Sequence, residues 1–312
     1  MKTIEPYNEV WLDCYNNLKL SLLRYIDEEN VIRGLNNNYK YKIFPHKFEE
    51  CDEFYCITED QTIIFYEEFS DIERVSPKTE EEFYDVVKKQ LSMENGFVLM
   101  RTDLFDWLEG NICWQRYHWD HYSLLVDFDE VSRQFTVFDE KGGNYVKFFV
   151  PESKLYKCLF YSDKHELLRL VTLKPEKVRV QSWDEIKSNA QTIIDSIDKC
   201  MECEFWTMEE YVYDGGHYKD LNGVYLQKIE GRHQANALLM KMLEERGAVD
   251  GVDFAKYRSA FEGLAVEWGK IRMALFVLYL RKKNREQKIR ELNEMLRECL
   301  QHEKDLWLEI MR

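Results

Sequence analysis

The chain has few of the residues that interrupt regular structure. Only 5 prolines and 13 glycines occur among its 312 residues, so no flexible linker is predicted. Its longest apolar run, Met273 to Leu280, is too short to span a bilayer, which takes about 20 residues. The chain opens on charged sequence without a signal-peptide pattern. We therefore expect a cytoplasmic protein without a membrane partner.

Positive charge is also scarce. The chain has 43 lysines and arginines against 58 aspartates and glutamates, which gives a net charge of -15. This balance excludes a general nucleic-acid binder, because phosphate contacts need a basic surface. Hydrophobic residues make up 45% and aromatic residues 14%, which is typical of a folded globular protein.

The 8 cysteines show no disulfide framework spacing, and without an export signal we expect reduced thiols. Cys200 and Cys203 form a CxxC pair. Because neither a second pair nor a nearby pair of histidines accompanies it, we predict no metal site.

The first half of the chain predicts a helix followed by an antiparallel sheet. Apolar residues at helical spacing predict the first helix over residues 12–29. Thr79 with Glu82 predicts a capping box for a second helix. Short strands are predicted at residues 97–100, 122–128, 134–139 and 145–150, and tight turns join the last three in a meander. This order is that of an α+β fold.

The second half is predicted to be helical. Ser182 with Glu185 predicts a capping box, and apolar spacing predicts a helix over 232–246 and a long one from about 253 nearly to the end. We divide the chain into a domain of residues 1–177 and a helical domain of residues 178–312. The long C-terminal helix is suited to pairing with a second copy of the chain. The basic run Arg281–Arg290 is either a solvated helix face or a docking patch for an acidic partner.

Cys14 stands at the start of the first predicted helix, with Asp13 ahead of it as a capping residue. A thiol at a helix N-terminus lies at the positive end of the helix dipole, which favours the reactive thiolate. The alternative interpretation is a buried, inert cysteine.

Two histidines, His118 and His121, precede the strand of residues 122–128, and Asp139 ends the strand that follows. If the two strands pair through the turn between them, His121 and Asp139 become neighbours. A cysteine, a histidine and an aspartate in this order predict a nucleophile, a base and a residue that orients the base. We assign Cys14, His121 and Asp139 to these roles, with a structural histidine and a turn aspartate as the alternatives.

Three further residues complete the predicted site. Asn8 lies 6 residues before Cys14, where its amide can help the Cys14 N–H bind an oxyanion; the alternative is a loop asparagine. Asp103 follows the strand of residues 97–100 and is predicted to bind substrate, for example an amine. His118, in the approach to the strand, is predicted to contact substrate.

The segments GFVLMRTDLF (96–105), YHWDHYSLLVDFD (117–129) and FTVFD (135–139) resemble the N-terminal domain family of butirosin biosynthesis protein H. That family is papain-like and similar to the C39-type cysteine peptidases. The resemblance covers about residues 5–155, and the family's characteristic positions hold Cys14, Asp103, His121 and Asp139. In two places the chain departs from the family, with Asp13 for a histidine and Asp127 for a glycine.

The resemblance implies a papain-like fold and a cysteine-dependent acyltransferase without a cofactor of its own. In such a reaction, an acyl or peptidyl group on the phosphopantetheine arm of a carrier protein passes through the enzyme cysteine to a small-molecule amine in natural-product biosynthesis. Two alternatives remain open. The same triad can use water, as in a peptidase, amidase or thioesterase, or the chain can be a non-catalytic binding protein.

Overall fold

The computed structural model describes residues 2–8, 14–31, 39–48, 51–61, 69–109, 111, 113–116, 118–141, 144–161, 166–177, 182–202, 221–247, 249–280 and 284–312. Within these ranges only the backbone is described at residues 14, 15, 29, 43–48, 51–61, 221–225, 276, 278–280 and 285.

The described residues form seven α-helices and eight β-strands. The helices are α1 Cys14–Ile26, α2 Glu80–Leu91, α3 Glu152–Leu155, α4 Trp183–Met201, α5 Leu221–Glu245, α6 Phe254–Leu280 and α7 Arg285–Ile310. The strands are β1 Tyr39–Phe48, β2 Cys51–Gln61, β3 Ser70–Val75, β4 Gly96–Asp103, β5 Asp120–Asp129, β6 Gln134–Lys141, β7 Asn144–Pro151 and β8 Leu168–Leu173. In these ranges no helix is both long and apolar enough to cross a membrane.

The chain divides into two compact units. The first comprises Met1–Gly34 and Ile64–Val180, and the second comprises Leu35–Ile63 and Gln181–Arg312. The division near residue 180 lies close to the boundary expected after residue 177. The segment Leu35–Ile63 belongs to the unit of the C-terminal helices, whereas the expected first domain of residues 1–177 includes it.

The first unit is built on a six-stranded sheet in the order β3-β8-β4-β5-β6-β7, in which all neighbours are antiparallel. The predicted α+β class and the meander β5-β6-β7 are therefore confirmed. Strands β3 and β8 were not predicted. The papain-like assignment is a finer statement and stays a prediction.

The helices α1 and α2 cover opposite faces of this sheet. Alternate side chains of a strand point to opposite faces. Val98 and Met100 of β4 pack in one core with Phe83 and Val87 of α2. Phe97, the neighbour of Val98, instead makes an edge contact with Tyr25 of α1, with ring centroids 5.4 Å apart. We call the two sides the α2 face and the α1 face.

Of the two predicted capping boxes, one forms completely and the other forms in part. The capping box predicted at Ser182 is present, with Glu185 bonded back to the Ser182 backbone. At Thr79 only half of the predicted box forms. The Thr79 side chain accepts from the Glu82 N–H, but the Glu82 carboxylate accepts from the N–H of Lys78.

The second unit combines the antiparallel pair β1-β2 with helices α4 to α7. The long C-terminal pattern forms two helices, α6 and α7, and residues 281–283 of the basic run between them lie outside the described residues. The apolar stripe of α7 is buried within the chain at Leu292, Leu296, Leu300 and Trp307. This stripe is thus covered within the second unit, and pairing of two chains through the C-terminal helices stays a prediction.

A fully buried carboxylate, Glu303 of α7, joins β1 to the helices. It accepts hydrogen bonds from the hydroxyls of Tyr39 at 2.6 Å and Tyr41 at 2.7 Å, and from Trp307 Nε1 at 3.2 Å. His233 Nε2 of α5 lies 3.3 Å away. Burial opposes ionisation, but His233 and the two tyrosine hydroxyls hold the pKa of Glu303 below its usual value.

We expect the substitution Glu303→Ala to destabilise the second unit by about 3–5 kcal/mol, because it leaves two buried hydroxyls without their acceptor. Urea unfolding followed by circular dichroism measures the loss as a lower midpoint. Glu294→Ala, on the exposed side of the same helix, is the matched control and should leave the midpoint unchanged. Equal midpoints for the two variants would show that the cluster contributes no stability.

Candidate functional site

Strands β5 and β6 bring the predicted base and its orienting residue together. The observed β5 begins at Asp120, so His121 lies inside the strand and not just before it. The two strands pair antiparallel with Leu124 opposite Phe138. The start of β5 therefore lies beside the end of β6, as expected from the sequence.

His121 and Asp139 form a buried hydrogen-bonded pair at this end of the sheet. His121 Nε2 lies 2.7 Å from Asp139 Oδ1, and the two side chains are 10% and 1% exposed. A carboxylate accepts, so the proton lies on Nε2 and the other ring nitrogen, Nδ1, is the one that can act as a base.

Asp139 is held by three further donors. The Glu140 N–H donates to Oδ1 at 2.6 Å, and Trp107 Nε1 donates to Oδ2 at 2.6 Å. The hydroxyl of Ser123 also donates to Oδ2. Each carboxylate oxygen thus accepts two hydrogen bonds, which compensates the cost of burying its charge.

Sequence reasoning missed Trp107 and Ser123. Ser123 stands two residues after His121, so its side chain shares the same face of β5, and this period-two relation was readable from the sequence. Trp107 lies in the loop after β4, and nothing in its neighbourhood along the chain indicates Asp139 as a partner. Its contact with Asp139 spans 32 residues.

Cys14 is the first residue of α1, which confirms a cysteine at a helix start; its side chain and Asp13 lie outside the described residues. The helix leads away from the site end of the sheet, because Tyr25 near its C-terminus contacts Phe97 at the start of β4. Cys14 therefore belongs to the helix on the α1 face of the sheet, whereas the next residue pair lies on the α2 face. His121 pairs with Thr102 of β4, which shares the α2 face with Met100 and Val98.

Asn8 is attached to β7 close to this site. Its side-chain oxygen accepts from the Tyr145 N–H at 2.9 Å, and its Nδ2 donates to Asn144 at 3.3 Å. Tyr145 pairs with Glu140, the residue after Asp139. Asn8 therefore lies at the end of the sheet at which Asp139 lies.

Asp103 and His118 form a second pair, at the end of β4. His118 Nδ1 lies 2.6 Å from Asp103 Oδ2, and the His118 ring stacks on Phe105 with centroids 4.4 Å apart. Asp103 Oδ1 accepts from two backbone N–H groups. His118 is exposed, and its hydrogen bond to Asp103 raises its pKa. The structure thus brings the two predicted substrate-binding residues into contact with each other.

Two buried cysteines outside α1, Cys158 and Cys299, have the character of inert thiols. Burial raises the pKa of Cys158 to about 11 and also raises that of Cys299. Cys200 is buried too, and its CxxC partner Cys203 lies outside the described residues. In the described part of the chain, no group of three or more His, Cys, Asp or Glu residues is arranged to hold a metal ion.

No family model matches the chain, and no curated protein matches it in sequence. The resemblance to the butirosin biosynthesis family therefore stays a prediction, which rests on the residues quoted for it.

The pair of His118 and Asp103 generates a prediction about pH. Because its folded-state pKa is raised, His118 contributes stability below its unfolded pKa and loses that contribution as the pH rises through the folded value. Asp103→Asn should return the His118 pKa to about 6.5 in an NMR titration. Asp129→Asn, at the far end of β5, is the control and should leave the titration unchanged. A His118 pKa that is the same in wild type and Asp103→Asn would contradict the pairing.

Proposed function

We propose that the protein is a cysteine-dependent acyltransferase in which Cys14 is the nucleophile, His121 the base and Asp139 the residue that orients His121. The observation that carries this proposal is the buried contact between His121 Nε2 and Asp139 Oδ1. This contact places the proton on Nε2, so Nδ1 is the basic atom. The N-terminus of α1 is directed toward the same end of the sheet. A papain-like arrangement has the same order of helix, strands and site residues.

In the first half of the proposed reaction, His121 Nδ1 takes the proton of the Cys14 thiol. The sulfur attacks the carbonyl carbon of a thioester, a new S–acyl bond forms, and the donor thiol leaves with the proton from His121. In the second half, an amine attacks the acyl-enzyme and gives its proton to His121. An amide forms, and Cys14 leaves as a thiol. Amide formation is the downhill step, since exchange between two thioesters is nearly balanced.

The oxyanion of each tetrahedral intermediate is assigned to the Cys14 N–H and the Asn8 side chain. The donor is proposed to be an acyl or peptidyl carrier protein that presents its thioester on a phosphopantetheine arm, and the acceptor a small-molecule amine. Asp103 and His118, which lie beside the site at the end of β4, are proposed to contact the substrate.

One observation favours a second candidate, a non-catalytic binding protein. His121 and Asp139 share the α2 face with the packed core, whereas α1 covers the opposite face. In this second function the pair is a buried structural contact like that of Glu303. The reactivity of Cys14 distinguishes the acyltransferase from the binding protein.

The test is acylation by an N-acetylcysteamine thioester, with intact-mass analysis of the protein. We expect one added acyl group on the wild-type chain and none on Cys14→Ala. His121→Ala should slow acylation by about 10²–10⁴-fold, because general-base catalysis is worth that much. Cys158→Ala is the matched control, since its buried thiol has a raised pKa, and it should acylate at the wild-type rate.

Acylation that persists in Cys14→Ala would exclude Cys14 as the nucleophile, and a wild-type chain that is never acylated would favour the binding protein. Adding a primary amine to the acylated enzyme separates transfer from hydrolysis. Amide product that rises with amine concentration supports the transferase, whereas free acid as the sole product identifies a hydrolase.

A further inference from the structure

We propose that Trp107 and Ser123 are positioning residues that hold Asp139 in the one orientation that keeps the His121 proton on Nε2, so that Nδ1 is the nitrogen able to take a proton. This inference rests on the proposed function. It adds two residues that the Cys14, His121 and Asp139 assignment does not contain.

The two carboxylate oxygens of Asp139 have different partners. Oδ1 faces His121 Nε2 at 2.7 Å, while Oδ2 accepts from Trp107 Nε1 at 2.6 Å and from the Ser123 hydroxyl. A carboxylate that is free to rotate about its terminal bond can offer His121 either oxygen in many directions. Two donors on Oδ2 from different directions fix the plane of the group and so fix the position of Oδ1.

Both donors are themselves held in place. Trp107 and Ser123 are fully buried. The Trp107 ring packs against Phe148 of β7, with centroids 6.3 Å apart. The Ser123 hydroxyl also lies 3.3 Å from the hydroxyl of Thr102, which in turn donates to the His121 carbonyl. Ser123 and Thr102 each donate their one hydroxyl hydrogen elsewhere, so the contact between them is one of packing. Packing against Phe148 and Thr102 thus holds the two donors in place.

The consequence of this orientation is the choice of tautomer. A neutral imidazole carries its proton on one nitrogen, and the hydrogen bond made by that nitrogen decides which one. If Asp139 turns, the Nδ1–H tautomer becomes populated. In that form Nδ1 carries a proton already and cannot accept another.

The experiment uses the full chain with ¹⁵N-labelled histidine and reads the His121 tautomer from its ring nitrogen shifts above the pH at which His121 titrates. The signal is assigned by its loss in His121→Asn. We expect the Nε2–H tautomer in the wild type and a mixture in Trp107→Phe, which keeps an aromatic ring in the core but lacks the donor. Ser123→Ala removes the second donor and changes the side-chain volume less. It can therefore be used for the test if Trp107→Phe fails to fold.

Phe148→Leu is the matched control, because it disturbs the packing of Trp107 without removing a donor to Asp139. It should retain the Nε2–H tautomer. Pure Nε2–H tautomer in both Trp107→Phe and Ser123→Ala would overturn the positioning role.

The acylation assay with the N-acetylcysteamine thioester separates this inference from the proposed function. We expect Trp107→Phe and Ser123→Ala to slow Cys14 acylation by about 10–100-fold, the range measured for groups that orient a metal-ligating histidine in the same indirect way. A tautomer change in a chain whose wild type is never acylated would remove the proposed function but leave the positioning of His121. Normal acylation in both variants would overturn the inference and leave the function.

Discussion

The first unit depends on the buried carboxylate of Asp139. An ionised group away from water costs several kcal/mol unless donors surround it, and this one accepts from four. The donors come from β5, from β6 and from the loop after β4. The register of the two strands and the course of that loop must therefore agree, because a one-residue slip of either strand would turn His121 or Asp139 to the other face.

The second unit meets the same constraint with a different carboxylate. Glu303 of α7 accepts from Tyr39 and Tyr41, which precede it by more than 260 residues. This contact ties the pair β1-β2 to helices that follow it at a great distance along the chain. The two buried carboxylates are thus the points at which remote segments of each unit are joined. In the first unit, however, one of the donors is His121, an imidazole whose second ring nitrogen can act as a base.

Local patterns account for the part of the fold that was predicted. The strands β5, β6 and β7 are neighbours along the chain and pair with their neighbours, so alternation and turn residues were sufficient for them. The strands β3 and β8 pair with each other across almost 100 residues, and no local signal carries such a pairing. The same reason explains the segment Leu35–Ile63. Its place with the C-terminal helices is decided by contacts such as that of Tyr39 with Glu303, which only the folded chain brings together.

By itself, the sequence determined the α+β class, the helix that begins at Cys14 and the pairing that brings His121 to Asp139, because each follows from spacing along one short stretch. Only the tertiary structure decided which groups complete the shell of Asp139 and which atom of His121 is left to act as a base. Trp107 reaches Asp139 from a loop 32 residues earlier in the chain. Hydrogen-bond direction depends on where separate segments meet in space, and a sequence pattern with periods of two or four residues does not specify that meeting.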